Sequence, residues 1–89
     1  MKNKVLVKIS VPELDLETDL FVPVNEVLWK IETLAVIAIS DMTGGALSKE
    51  GNYILLNKET GKAYNQNTIL YDTDIRNATE LILISANKI

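Results

Sequence analysis

Two stretches near the start of the chain alternate between apolar and polar residues, and this alternation limits the fold more than any other sequence feature. Every odd-numbered residue from 5 to 11 is Val or Ile, and after Pro12 the alternation resumes on even-numbered residues up to Val22. A two-residue period is typical of a half-buried β-strand, since successive side chains point to opposite faces. The two strands predict an antiparallel hairpin whose turn lies between Pro12 and Leu16.

The residues after Pro23 follow the period of an α-helix. Asn25 is suited to cap the first turn, and Glu26 suits the positive end of the helix dipole. At about 100° per residue, one face collects the apolar residues Val24, Val27, Leu28, Ile31, Leu34, Ala35 and Ala38. We expect this helix to run to about residue 39 and to end before Gly44 and Gly45.

The second half of the chain predicts shorter elements. In order they are a loop at 40–52, a strand at 53–56, a turn at 59–62, a brief strand at 63–64, a crossover at 65–79 held to the core by Ile69, Leu70 and Ile75, and a last strand at 80–85. The apolar centre of the last strand is typical of a strand in the middle of a sheet. The order predicts one α+β domain over residues 1–89 with the β-grasp arrangement, a mixed four- to five-stranded sheet with one helix packed across it.

The composition excludes several classes of function. The 89 residues carry a net charge of −3 and their nine Lys and Arg are scattered, so we do not expect nucleic acid as a partner. Because the chain has no His and no Cys, it lacks the commonest metal ligands, catalytic bases and nucleophiles. We therefore expect no metal, no cofactor and no enzymatic activity. The sequence has no signal-peptide pattern and no apolar stretch near the roughly 20 residues that cross a bilayer, which favours a cytoplasmic protein without direct membrane insertion.

Four acidic residues alternate through the second strand and the turn before it, namely Glu13, Asp15, Glu17 and Asp19. Their carboxylates could supply oxygen ligands to a hard cation. Alternating acids also suit the solvent side of an edge strand, where charge discourages edge-to-edge pairing. The run has no Gly for the sharp turn of a calcium loop, which favours the edge-strand interpretation.

The segment at 69–83 resembles a pattern of ubiquitin-like domains, approximately T-L-x-D-x-G-I-x-x-G-D-x-L-x-L. The positions that match in register are Leu70, Asp72, Ile75, Leu81 and Leu83. The departures are Ile69 for the Thr, Asp74 and Ala78 for the two Gly, and Thr79 for the Asp, so they concern the geometry of the turn. Among ubiquitin-like proteins, the whole chain looks most like the YukD-like (EsaB-like) family, small bacterial proteins associated with type VII secretion of WXG-type substrates.

This resemblance implies a non-conjugating accessory or regulatory protein in the cytoplasm, with a membrane component or an ATPase of a type VII secretion system as its partner. One alternative is a generic ubiquitin-like adaptor or oligomerisation domain unrelated to secretion, which a homodimer would favour. A third function, as a sulfur carrier or protein modifier, requires a flexible tail ending in Gly-Gly. This sequence instead ends with Ala86, Asn87, Lys88 and Ile89.

The outer face of the predicted sheet is the first candidate binding surface. If the strands bury their regularly spaced Val and Leu residues, the opposite face exposes Leu6, Phe21, Ile82 and Ile84. We expect Leu55 to join them, with Ile54 and Leu56 pointing inward. These residues would form one contiguous apolar band, which is typical of a partner-binding surface. The alternative is that the C-terminal residues or the loop at 40–52 fold over part of the band.

The helix carries the second candidate surface. Trp29 and Val36 lie roughly opposite its predicted core face, with Thr33 and Ile37 near them. Because Trp is enriched at interface hot spots, we predict that Trp29 anchors a partner or a second copy of the chain. The alternative is that the loop at 40–52 covers Trp29.

Overall fold

The computed structural model describes residues 3–86 and shows a four-stranded sheet with one long helix packed across it. The strands are β1 (Lys4–Val11), β2 (Leu16–Pro23), β3 (Tyr53–Asn57) and β4 (Glu80–Ser85), and the helix is α1 (Leu28–Met42). The strand order is β2-β1-β4-β3, with β1 parallel to β4 and the other neighbours antiparallel. The predicted α+β architecture is therefore confirmed. The tail at 87–89, which differs from a Gly-Gly ending, lies outside the described residues.

β1 and β2 form the predicted hairpin, with Leu6 opposite Phe21 in the register. A short 3-10 turn at Pro12–Leu14 joins them, and the fixed φ of Pro12 suits its first position. Asp15 closes this turn in the left-handed conformation, with φ of 50°, and its N–H donates to the Pro12 carbonyl at 3.1 Å. The hairpin thus places one apolar face of each strand toward the helix.

The core lies between α1 and the inner face of the sheet. Its most deeply buried residues are Val7, Ile9, Val11, Val22, Leu28, Ile31, Ile39, Leu70, Ile75, Leu81 and Leu83. β4 lies in the middle of the sheet, as its apolar run predicts. The crossover before it is held by Leu70 and Ile75, whereas Ile69 is 43% exposed and pairs through its backbone with Val27. The prediction that Ile69 helps to hold the crossover was wrong.

α1 begins at Leu28, three residues after the predicted cap at Asn25. The N–H groups of Leu28 and Trp29 donate to carbonyls of the crossover, those of Thr68 and Gln66, at 2.9 and 3.1 Å. The segment at 24–27 pairs with the crossover as well and is held in a non-helical conformation. The start of the helix is therefore capped by backbone from a distant part of the chain, which no local pattern could indicate.

The buried face of α1 is rotated from the predicted one. It is formed by Leu28, Ile31, Ala35, Val36, Ile39 and Ser40. Val36, predicted to be exposed, is only 5% exposed to solvent, whereas Leu34, predicted to be buried, is 49% exposed. Val24 and Val27 had shifted the predicted face toward Leu34, and neither residue belongs to the helix. The assignment of Val36 to an exposed binding surface was therefore wrong.

β3 presents the face opposite to the predicted one. Leu55 is 4% exposed, so its assignment to the outer face was wrong, and Ile54 and Leu56 lie there instead. The four apolar residues at 53–56 have no alternation that could set the phase. The inward side chains at the two ends of β3 fix which face is buried. The Tyr53 hydroxyl donates to the Ser48 carbonyl at 2.7 Å, and Asn57 Oδ1 accepts a hydrogen bond from the N–H of Glu59 in the turn after the strand. The predicted strand at 63–64 is reduced to one bridge between Leu56 and Ala63.

Candidate binding surfaces on the sheet and beside the helix

The outer face of the sheet carries two separate apolar groups. The first is the cross-strand pair of Leu6 on β1 and Phe21 on β2. Phe21 is 59% exposed, whereas Leu6 is half-buried. Both residues were predicted for this face, and the structure places them next to each other on it.

The second group, which we call the sheet cluster, consists of Ile54, Leu56, Ile82 and Ile84. In the register, Ile54 lies opposite Ile84 and Leu56 opposite Ile82, so the four side chains form two adjacent cross-strand pairs. All four are partly exposed. Ile82 and Ile84 were predicted for this face, whereas Ile54 and Leu56 were missed because the phase of β3 was assigned the wrong way round.

A row of charged residues separates the two apolar groups. Asp19, Lys8 and Glu80 occupy directly adjacent positions on β2, β1 and β4, and all three are exposed. Lys58 Nζ lies 3.8 Å from Glu80 Oε1 and 3.5 Å from Glu17 Oε2, so it links the edges of the sheet beside this row. The expected contiguous apolar band was therefore wrong.

Two acidic residues of the hairpin, Glu13 and Glu17, accept hydrogen bonds from serine residues. The Ser10 hydroxyl donates to Glu17 Oε2 at 3.3 Å, and the Ser85 N–H donates to Glu13 Oε1 at 2.8 Å. Glu13 thus connects the hairpin turn to the end of β4. Within residues 3–86, no group of three or more acidic side chains is close enough to hold a metal ion.

One flank of α1 is apolar and exposed. Trp29 is 46% exposed, so the loop before β3 does not cover it, and Ile37 lies two turns further along the same flank. Between them, the Thr33 hydroxyl donates to the Trp29 carbonyl at 3.0 Å. The ammonium of Lys30 lies 5.6 Å from the centre of the Trp29 ring, a cation–π distance. Trp29 is therefore accessible, as its predicted role as an anchor requires.

A small cleft lies between this flank of α1 and the segment that leads into β3. It is lined by Glu32, Thr33, Val36, Ile37, Lys49, Gly51 and Tyr53. Burial raises the pKa of Glu32 to about 7, although a hydrogen bond from Gln66 lowers it in part. The sequence analysis missed Glu32. The signal was its position one helical turn from both Leu28 and Val36, which brings a carboxylate close to the buried face of α1.

A third polar group ties the turn after β3 to the crossover. The Tyr64 hydroxyl donates to Asp74 Oδ1 at 2.6 Å and accepts from Asn57 Nδ2 at 2.9 Å. Burial and the bond to Asp74 together raise the pKa of Tyr64 to about 12. Because the phenol stays protonated, this group supports the fold and supplies no base at neutral pH.

Solved structures share this arrangement. A chain of the toluene 4-monooxygenase HD complex with the inhibitor 4-bromobenzoate matches with a TM-score of 0.76 and 7% identity, over 92% of this chain and 98% of that chain. The ubiquitin-like domain of the Mycobacterium tuberculosis type VII secretion system protein ECCD1 matches with a TM-score of 0.71 and 15% identity, over 92% of this chain and 98% of that domain. A chain of the MycP5-free ESX-5 inner membrane complex matches with a TM-score of 0.66 and 13% identity, over 93% of this chain and 21% of that chain.

These likenesses establish the fold as a ubiquitin-like β-grasp, in agreement with the resemblance of the segment at 69–83. No model of a known protein family matches the sequence. No curated protein sequence matches it either. Within the described residues, no helix is both long and apolar enough to cross a membrane.

Proposed function

We propose that the chain acts as one ubiquitin-like domain that binds partner proteins without catalysing a reaction, as a cytoplasmic accessory or regulatory component of a type VII secretion system. The partner in this proposal is a membrane component or an ATPase of that system. The sheet cluster is the contact surface, and the exposed Trp29 flank of α1 is a second contact.

The sheet cluster is the observation that carries the proposal. Its four aliphatic side chains form two cross-strand pairs on the face of the sheet that points away from the core, and all four are partly exposed. The charged row of Asp19, Lys8 and Glu80 borders it on one side. An apolar centre with a polar border is the usual anatomy of a protein interface, because the centre supplies the buried area and the border sets orientation.

Two of the matching structures support the secretion setting. One is the ubiquitin-like domain of a type VII secretion protein, and the other is a chain of an ESX-5 inner membrane complex. The alternative function, a generic adaptor or oligomerisation domain, would use the same surfaces, and self-association through the sheet cluster would favour it. The chain of the toluene 4-monooxygenase complex has the same fold inside an enzyme assembly, which is compatible with an adaptor role.

The proposal is tested by affinity capture from the native cell. The bait variant combines Ile82→Thr with Ile84→Thr, because Thr keeps the β-branched shape that suits a strand while replacing apolar contact area. We expect the wild type to retain a type VII membrane component or ATPase and the variant to lose most of it. Circular dichroism and thermal melting establish that the variant is folded.

A matched control combines Leu34→Gln with Met42→Gln, since both residues are exposed and apolar but lie on α1. This control should retain the same partners as the wild type. Retention by both variants would mean that the sheet cluster is not the contact surface. If type VII components are absent with every bait, the secretion setting is wrong and the generic adaptor replaces it.

A further inference from the structure

The cleft beside α1 has the dimensions of one side chain. Its volume is about 150 Å³, smaller than the roughly 300–1,000 Å³ of pockets that bind drug-sized molecules. Val36 and Ile37 form its wall on the helix, and Gly51 and Tyr53 form the wall on the opposite side. A Cβ added at Gly51 would lie 3.0 Å from the Tyr53 hydroxyl, so Gly51 allows this side of the cleft to pack tightly.

A carboxylate is fixed in this cleft. The side-chain amide of Gln66 donates to Glu32 Oε2 at 2.9 Å and to the Tyr53 carbonyl at 3.3 Å, so it connects α1 to β3 and holds the carboxylate between them. Within the described residues, Glu32 has no cationic side chain within 4 Å. When Glu32 is ionised, the cleft therefore holds a half-buried negative charge that no cationic side chain of the described residues neutralises.

The other titratable groups of the cleft are already engaged. Lys49 Nζ binds Asp41 Oδ1 at 3.0 Å, and the Tyr53 hydroxyl donates to the Ser48 carbonyl. Burial raises the pKa of Glu32 and the hydrogen bond from Gln66 lowers it in part, and Lys49 is not among the causes of the shift. In this arrangement, the pairing of Glu32 is left to a group from outside.

We propose that the cleft binds the side chain of a lysine or arginine from a partner protein, with Glu32 pairing with the cationic head and the apolar walls packing against the methylene groups. An ion pair is stronger where solvent is partly excluded, and the long stems of these side chains pack well on apolar surface. This site lies beside the helix and is independent of the contact proposed for the sheet cluster.

Binding should depend on pH, because the occupant pairs with the ionised carboxylate. The raised pKa of Glu32 leaves much of it protonated near pH 6, and a bound cation would favour loss of that proton. The affinity for a lysine side chain should therefore increase from pH 5.5 to pH 8, by roughly tenfold or more. An apolar side chain of the same length should show no such dependence.

The experiment uses Nα-acetyl-lysine methylamide and Nα-acetyl-arginine methylamide as probes, with the neutral analogue Nα-acetyl-norleucine methylamide as the matched control. Titrations followed by amide chemical shifts should show saturable changes at Thr33, Ile37 and Gly51 with the two cationic probes only. The carboxyl carbon of Glu32, followed by NMR across pH, should titrate at lower pH when the lysine probe is saturating. Equal binding of norleucine, or an unchanged titration of Glu32, would overturn the proposal.

Two variants test the role of charge in cation binding by the cleft. Glu32→Gln keeps an oxygen that can accept from Gln66, so the chain should fold and lose both the cation preference and its pH dependence. Lys49→Ala removes a like charge from the cleft and should tighten cation binding. If Glu32→Gln binds the lysine probe as the wild type does, Glu32 is not the recognition group. The sheet variants at Ile82 and Ile84 should leave these titrations unchanged, so either proposal can fail alone.

Discussion

At the scale of single residues, Glu32 couples the stability of the fold to pH. Its pKa is raised from 4.5 to about 7 by burial, so the folded state holds a proton that the unfolded state has released between these values. Stability changes with pH in proportion to the difference in protons bound by the unfolded and folded states. Because the folded state binds more, the contribution of Glu32 to stability is greatest below pH 4.5 and is lost as the pH rises through 7.

The variant Glu32→Gln removes this titration while keeping the size of the side chain. We expect it to be more stable than the wild type at pH 8, by on the order of 1 kcal/mol after allowance for solvent screening. At pH 4.5 the difference should be small. Urea denaturation of both proteins at the two pH values measures it, and a difference that does not vary with pH would mean that Glu32 titrates normally.

Some residue-scale features were within reach of the sequence and others were not. Ala78 stands where the ubiquitin-like pattern has its second Gly, and its φ of 72° keeps the left-handed turn that the Gly would favour. Its N–H donates to the Leu6 carbonyl at 2.7 Å, which holds this conformation in place. Asp74, at the first Gly position, accepts instead from Tyr64. At each of these two positions, a hydrogen bond to a residue outside the segment at 69–83 is involved. Such a bond cannot be inferred from the pattern of that segment alone.

At the scale of elements, the segment between α1 and β3 is more firmly held than its polar sequence indicates. Leu47 is buried among the core residues, and the Tyr53 hydroxyl binds the carbonyl of Ser48 beside it. An ion pair between Lys49 and Asp41 links the same segment back to the helix. One apolar anchor and two polar links therefore attach this loop to the rest of the fold.

The variant Leu47→Ala tests this attachment. A buried Leu typically loses roughly 2–4 kcal/mol of stability when truncated to Ala, since apolar contacts are lost and a cavity remains. We expect a loss in this range at Leu47 from urea denaturation. Leu34→Ala is the matched control on an exposed surface, and it should change the free energy of unfolding by about 0.5 kcal/mol or less. A loss at Leu47 as small as that at Leu34 would show that the loop contributes little to the core.

Where the apolar residues recur at a regular spacing, the sequence predicted both the element and its buried face. Where the spacing is irregular, the element was predicted but its buried face was assigned wrongly. β1 and β2 alternate along most of their length, with Leu6 and Phe21 as apolar residues on the outward side, and their inward and outward residues were assigned correctly. β3 is apolar at four successive positions, so its phase depends on the hydrogen bonds of Tyr53 and Asn57. For α1 the existence and the approximate end were predicted, but its start depends on the crossover carbonyls, and the error in the start rotated the predicted face.

At the scale of the whole molecule, the order of elements contains enough information for the topology. A hairpin followed by one helix leaves the later strands a limited set of places in the sheet, because connections are short and crossovers between parallel strands are right-handed. The apolar run of β4 then favours the middle position, which it occupies beside β1. The strand order is enough to predict which strands form the outer face. The separation of its two apolar groups by Asp19, Lys8 and Glu80 depends on the strand register, which the order of elements does not give.

This topology predicts where hydrogen exchange is slowest. β1 and β4 each have a strand on both sides, whereas β2 and β3 are the edges. The amides that join β1 to β4 should exchange only on global unfolding, with a free energy equal to that from denaturation, since these strands also carry the deepest core residues. Outward amides of β2 should exchange orders of magnitude faster. Exchange followed by NMR in deuterated buffer measures both, and β4 amides that exchange as fast as those of β2 would contradict a central position for the last strand.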